Sequence, residues 1–101
     1  MKQISLTELK QWETTDKDFQ LIDVREPSEH QFFNIGGSLI PLDQIMKNAA
    51  IINHDKPVVL YCKRGIRSQI AIQKLERKHP FDNLYNLQGG IFKLLLKQGS
   101  L

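Results

Sequence analysis

The sequence predicts an α/β protein, with a mostly parallel central sheet of about five strands and helices on both faces. Three observations predict it. Short apolar runs at residues 19–24, 58–61 and 83–87 alternate with stretches of helical periodicity. The run at 19–24 is short, apolar and bounded by polar residues, as a strand buried in a parallel sheet should be. Asp23 and Cys62 both fall at the C-terminal ends of such runs. In open α/β sheets that edge is where ligands bind.

The elements follow in order. Residues 3–5 make a short edge strand. Ser5-Leu6-Thr7-Glu8 reads as a capping box, opening a helix to about Trp12 that buries Leu6, Leu9 and Trp12. Trp12 beside Leu9 is read as core rather than as a ligand platform. The polar run 13–18 is a solvated loop. Residues 19–24 are the first strong strand. Residues 26–33 suit a short helix with Pro27 in its first turn and acids near its positive end. Arg25 and Glu29 are expected to pair there, contributing about 0–1 kcal/mol if exposed. Residues 34–37 form a turn in which Asn34 and Gly36 tolerate unusual backbone angles.

Residues 38–40 are a brief strand ended by Pro41. Residues 42–50 show a helical pattern, with Leu42, Ile45, Met46 and Ala49 on one face. Met46 in that stripe is core filler. Pro57 opens the central strand, 58–61. A helix from about Ser68 to Lys78 turns Ala71, Ile72 and Leu75 inward, and His79-Pro80 stops it. Residues 83–87 are the last strand. Gly89-Gly90 permits a sharp turn into a closing helix from Ile91. No G-x-G-x-x-G follows a strand, so the two glycines are not a dinucleotide site.

At 101 residues the chain is read as one domain spanning 1–101. Hydrophobic content of 41% and charged content of 25% are ordinary for a soluble globular protein. The formal charge of +3 fits a small anionic substrate. The basic residues are dispersed, which argues against nucleic acid. One cysteine excludes an intramolecular disulfide and a cysteine-based zinc cluster. His30, His54 and His79 sit in separate segments without metal-ligand spacing, so neither metal nor cofactor is expected. Residues 1–8 lack an apolar signal-peptide core, and no apolar run approaches the roughly 20 residues of a membrane span. A cytoplasmic protein without membrane contact is expected.

The stretch that carries chemistry is Cys62-Lys63-Arg64-Gly65-Ile66-Arg67-Ser68. A free cysteine has a pKa of about 8.5, and cationic neighbours or a helix N-terminus lower it to roughly 3.5–7.5. Lys63, Arg64 and Arg67 supply the charge. A tight loop running into a helix supplies backbone N–H groups that form an anion nest. Gly65 removes the Cβ that would keep the loop from curling. A lone cysteine at a strand end is usually a small buried hydrophobe. The strand, basic loop and helix around Cys62 favour a reactive thiolate instead.

These residues resemble the active-site loop of the rhodanese-like sulfurtransferases, in the form C-x-x-G-x-R-S. Residues 21–29 resemble the family's D-V-R-x-x-x-E segment, with Asp23, Arg25 and Glu29 in place. Leu87-Gln88-Gly89-Gly90 resembles its closing L-x-G-G. The three segments appear in the family's order and are spread over residues 21–90, most of the chain. The sequence departs from the family after Glu29. Where the usual pattern is an aromatic, two residues and G-H-I-P-G-A, this chain agrees only at Ile35 and Gly37. The tryptophan that often follows the two glycines is absent, and Phe92 or Leu94 is expected to fill its volume.

The resemblance implies a rhodanese-like fold and sulfane sulfur transfer through a Cys62 persulfide. The donor would be thiosulfate or another persulfide, and the acceptor cyanide or a thiol. The loop N–H groups from Lys63 through Gly65 and Ile66 to Arg67 would stabilise the negative charge. Arg67 serves either to bind substrate or to pair structurally. Asp23 is placed where a general base could act, but the resemblance implies a structural role, with Arg25 and Ser68 also supporting the site. Three rivals stand. A cysteine phosphatase or arsenate reductase needs C-x-x-x-x-x-R, and here that position is Ser68, with the arginine one residue early at Arg67. A relay between sulfur-carrying partner proteins would use the same Cys62 chemistry. A non-catalytic binding module usually lacks the cysteine.

Overall fold

The computed structural model describes residues 1–98. Five parallel strands form one sheet in the order β1-β5-β4-β2-β3. They are β1 (Lys2–Ile4), β2 (Gln20–Asp23), β3 (Ser38–Leu39), β4 (Val58–Tyr61) and β5 (Leu84–Leu87). Strand β4 is central, and all four of its residues are buried. Its side chains alternate between the sheet's two faces. Val58 and Leu60 join one apolar cluster with Ile22, Ile45, Ala71, Ile72 and Leu75. Val59 and Tyr61 join the other, with Ile4, Leu9, Leu87, Ile91 and Leu95. The sheet is thus covered on both faces, as its apolar strands require.

Among the described residues four α-helices complete the layers: α1 (Leu6–Thr14), α2 (Pro27–Phe32), α3 (Ile66–Lys78) and α4 (Phe92–Lys97). The capping box of α1 is formed: Glu8 N–H donates to Ser5 Oγ at 3.1 Å, and Ser5 N–H to Glu8 Oε1 at 3.0 Å. The helix runs two residues past Trp12, to Thr14. Trp12 packs into the core against the rings of Phe19 and Tyr85, at 5.6 and 5.4 Å between centroids. Among the described residues no helix is long and apolar enough to cross a membrane.

Residues 42–50 differ from expectation. They form two short 3-10 turns, Leu42–Gln44 and Ala49–Ile51, rather than one α-helix. Asn48 is the cause. An α-helix would bond the Asn48 N–H to the Gln44 carbonyl, but the Asn48 side chain takes that carbonyl at 2.9 Å. Its N–H turns to Ile45 O at 3.2 Å instead. The inward face survives: Ile45 and Ala49 are buried, and Leu42 and Met46 pack against them.

Candidate active site

Strand β4 delivers Cys62 to the C-terminal edge of the sheet, where the chain leaves the ladder and turns. The loop ends at Gly65, whose φ of +89° makes it the left-handed N-cap of α3. Helix α3 therefore begins at Ile66, two residues earlier than its apolar stripe suggests. The Gly65 N–H donates to Cys62 Sγ at 3.1 Å. The thiol is 1% exposed, so the loop forms its immediate surroundings. Beneath the loop lies the Gly89-Gly90 turn. A Cβ on Gly90 would overlap the backbone carbonyls of Cys62 and Lys63, so that turn and the loop fit only with glycine there. Ile91 N–H fixes the Cys62 carbonyl at 3.1 Å.

The loop's side chains diverge. Arg64 is exposed and stacks on the Phe92 ring, 4.0 Å from its centroid. Phe92 thus supports the loop, while Leu94 packs into the second core cluster. Ile66 points outward at 63% exposure. Lys63 and Arg67 are half-buried. Arg67 makes a two-pronged ion pair with Glu29 at 2.7 and 3.0 Å. The Arg67 guanidinium, through its hydrogen bonds, holds the Glu29 carboxyl down at about 2 against the opposing effect of burial. Ser68 is fully buried, with Oγ 3.4 Å from Cys62 Sγ.

Asp23 and Arg25 are brought together at the same sheet edge. The expected pairing of Arg25 with Glu29 does not form. Arg25 is 1% exposed and turns inward to Asp23, with Nε–Oδ1 at 2.9 Å and Nη2–Oδ2 at 2.8 Å. It also donates to Phe33 O at 2.7 Å. A buried guanidinium needs a buried anion and a full set of acceptors, and Glu29 lies too near the surface to supply them. The Asp23 carboxylate further accepts the Arg25 N–H at 3.0 Å and meets His30 Nδ1 at 2.8 Å. Burial raises its pKa, but the hydrogen bonds from Arg25 and His30 outweigh burial and leave it below the ordinary value.

Tyr61 secures the turn that departs from the expected pattern. Its hydroxyl donates to Gly36 O at 2.9 Å and accepts the Ile35 N–H at 3.3 Å. Burial, with the Asp23 charge nearby, pushes the phenol up to about 12. The left-handed residues of the turn are Gly36 and Gly37. Asn34 contributes its side chain instead, accepting the Gly36 N–H at 2.8 Å.

Sequence reasoning missed two participants. Asn86, 1% exposed on β5, accepts the Ser68 hydroxyl. An asparagine inside an apolar strand was the available signal, because a buried amide requires partners. His30 is the other, and no motif marks its contact with Asp23. Among the described residues, no group of three His, Cys, Asp or Glu side chains could hold a metal ion.

Residues 5–97 match the family model described as the Rhodanese-like domain. A Bacillus subtilis protein, "Uncharacterized protein YqhL", is 48% identical over 75 residues, covering 73% of this chain and 59% of its own length. "Probable adenylyltransferase/sulfurtransferase MoeZ" of Mycobacterium tuberculosis is 37% identical over 91 residues, covering 87% of this chain and 23% of its own. The chain thus spans less than two thirds of either relative. The crystal structure of a rhodanese-like domain protein from Staphylococcus aureus is similar at a TM-score of 0.81 and 32% identity, over 90% of this chain and 88% of that one. With this match, the five-stranded parallel sheet and the loop at Cys62, the chain belongs to the rhodanese-like domain family.

Proposed function

We propose that the protein is a sulfurtransferase that carries sulfane sulfur as a Cys62 persulfide. The observation that carries this reading is the Gly65 N–H aimed at Cys62 Sγ at 3.1 Å, in a loop closed by Gly90. That donor offsets negative charge on sulfur, before and after transfer. With thiosulfate as donor, the Cys62 thiolate attacks the outer sulfur. A new S–S bond forms, the donor's S–S bond breaks, and sulfite leaves with the bonding electrons. A cyanide or thiolate acceptor then attacks the outer sulfur and releases the Cys62 thiolate. Lys63 and Arg64 draw in the anionic donor. Asp23, saturated by Arg25 and His30, is a structural carboxylate rather than a free base.

The phosphatase alternative requires an arginine free to bind phosphate in the loop. Arg67 is instead committed to Glu29. A relay in which partner proteins give and take the sulfur uses the same Cys62 step.

Intact mass after incubation with thiosulfate tests the proposal. A gain of one sulfur, lost on reduction and absent in Cys62→Ser, is expected. That variant keeps its stability to within about 1 kcal/mol, because Gly65 and Ser68 offer the new hydroxyl partners. Sulfur uptake by Cys62→Ser would refute the mechanism. No uptake from any donor, with hydrolysis of an aryl phosphate, would establish the phosphatase.

A further inference from the structure

A chain of hydrogen-bonding side chains runs behind the nucleophile. Cys62 Sγ lies 3.4 Å from Ser68 Oγ. The Ser68 hydroxyl donates to Asn86 Oδ1. Asn86 Nδ2 donates to Gln3 Oε1 at 2.9 Å. Ser68 and Asn86 are buried at 0% and 1% exposure, so solvent does not complete their hydrogen bonds. Gln3 stands exposed on the edge strand β1, paired in register with Asn86.

The direction of this chain has a chemical meaning. A hydroxyl has one proton to give. While Ser68 gives it to Asn86, it can accept from sulfur but cannot donate. That arrangement suits a Cys62 thiol. A thiolate gains from a second donor beside the Gly65 N–H, which favours the hydroxyl turned from Asn86 to sulfur. A buried amide oxygen would then lose its partner, at a real cost. Turning the Asn86 amide over avoids it. Nδ2 then donates to Ser68 Oγ, and Oδ1 faces Gln3, whose own amide turns to offer Nε2. Every group is satisfied in both directions.

We infer that Asn86 and Gln3 are positioning residues whose paired amides set the direction of the Ser68 hydroxyl, and through it the readiness of Cys62 to react as a thiolate. The inference rests on Cys62 being the nucleophile proposed above. Ionisation releases one proton from the thiol to solvent. The hydroxyl and amides then exchange hydrogen bonds, and no covalent bond among them changes. The Gly65 N–H donates to sulfur in both arrangements. The nearby charges on Lys63, Arg64 and the Glu29-paired Arg67 stay as they are.

The test follows alkylation of Cys62 by iodoacetamide over pH in the full chain. Gln3→Glu offers acceptors only, holding Asn86 Oδ1 toward Ser68, and should move the profile to higher pH. Gln3→Lys offers donors only, and should move it to lower pH. Each should change the rate at neutral pH by about 2- to 10-fold. Both shifts should vanish in a Ser68→Ala background and persist in high salt. Equal shifts in that background, shifts that salt abolishes, or no opposed shifts would overturn the relay, since a surface charge acting through space is screened. Sulfur uptake measured on the same proteins keeps the two readings apart. Uptake without the shifts defeats the relay alone; the shifts without uptake defeat sulfur transfer alone.

Discussion

The Arg67 guanidinium grips the Glu29 carboxylate through Nη1 and Nη2, at 2.7 and 3.0 Å, across 38 positions of sequence. It ties the helix that begins at the loop to the helix that covers Asp23. Glu29 titrates at about 2 when folded, against an ordinary 4.5, chiefly because of Arg67. A carboxylate with a depressed folded value stabilises the protein above its unfolded value and loses that contribution as pH falls. Stability should therefore drop between about 4.5 and 2. Arg67→Ala should be less stable at neutral pH and show a flatter decline through that window. Denaturant unfolding at a series of pH values checks this, and parallel curves for the two proteins would sink it.

Removing the partner of a buried charge is more damaging. Arg25→Met leaves Asp23, 0% exposed, with His30 as its remaining ion-pair partner. The expected loss is about 3–5 kcal/mol in urea unfolding. Stability within 1 kcal/mol of wild type, by the same measure, would show that His30 alone suffices.

The glycines of the closing turn should separate cleanly. Gly89 and Gly90 have φ of +76° and +62°, so alanine strains both by about 1–2 kcal/mol. A Cβ on Gly89 meets nothing within 4 Å, whereas one on Gly90 overlaps two carbonyls of the active loop. Gly89→Ala should keep sulfur uptake near wild type. Gly90→Ala should reduce it on the order of tenfold or more. Equal rates for the two variants would mean that the loop does not depend on the turn.

Gly65→Val attacks the loop directly. The added Cβ would sit 3.3 Å from Gly89 N and Leu87 O, in a left-handed conformation that β-branched residues avoid. Circular dichroism should show a folded protein, and the mass assay should show impaired persulfide formation. Full activity would rule out a tight nest around the sulfur.

Much of this was legible where local pattern and tertiary role coincide. Strand β4 occupies residues 58–61 as expected, because a run with no charged or amide side chain is readily buried on both faces. Cys62, Gly65 and Ser68 meet because strand, loop and helix are consecutive. Partnerships were less legible. Arg25 and Glu29 look like a helical pair four apart, yet Pro27 opens α2 after Arg25, so the two never share a helix face. The true partner of Glu29 lies far along the chain. Asn48 diverted its own turn by a side-chain bond that no periodicity reveals. The contribution of Asn86 required knowing that β5 lies beside β4.

Strands β1 and β5 carry Gln3 and Asn86, which are 83 positions apart and hydrogen-bonded. Joining them closes a very long loop, and the entropy of that closure is spent before the contacts return anything. The local unit of β4, loop and α3 carries no such burden. During folding, Cys62 can therefore stand in its loop before the first strand docks, and the proposed tuning through Gln3 begins only when β1 arrives.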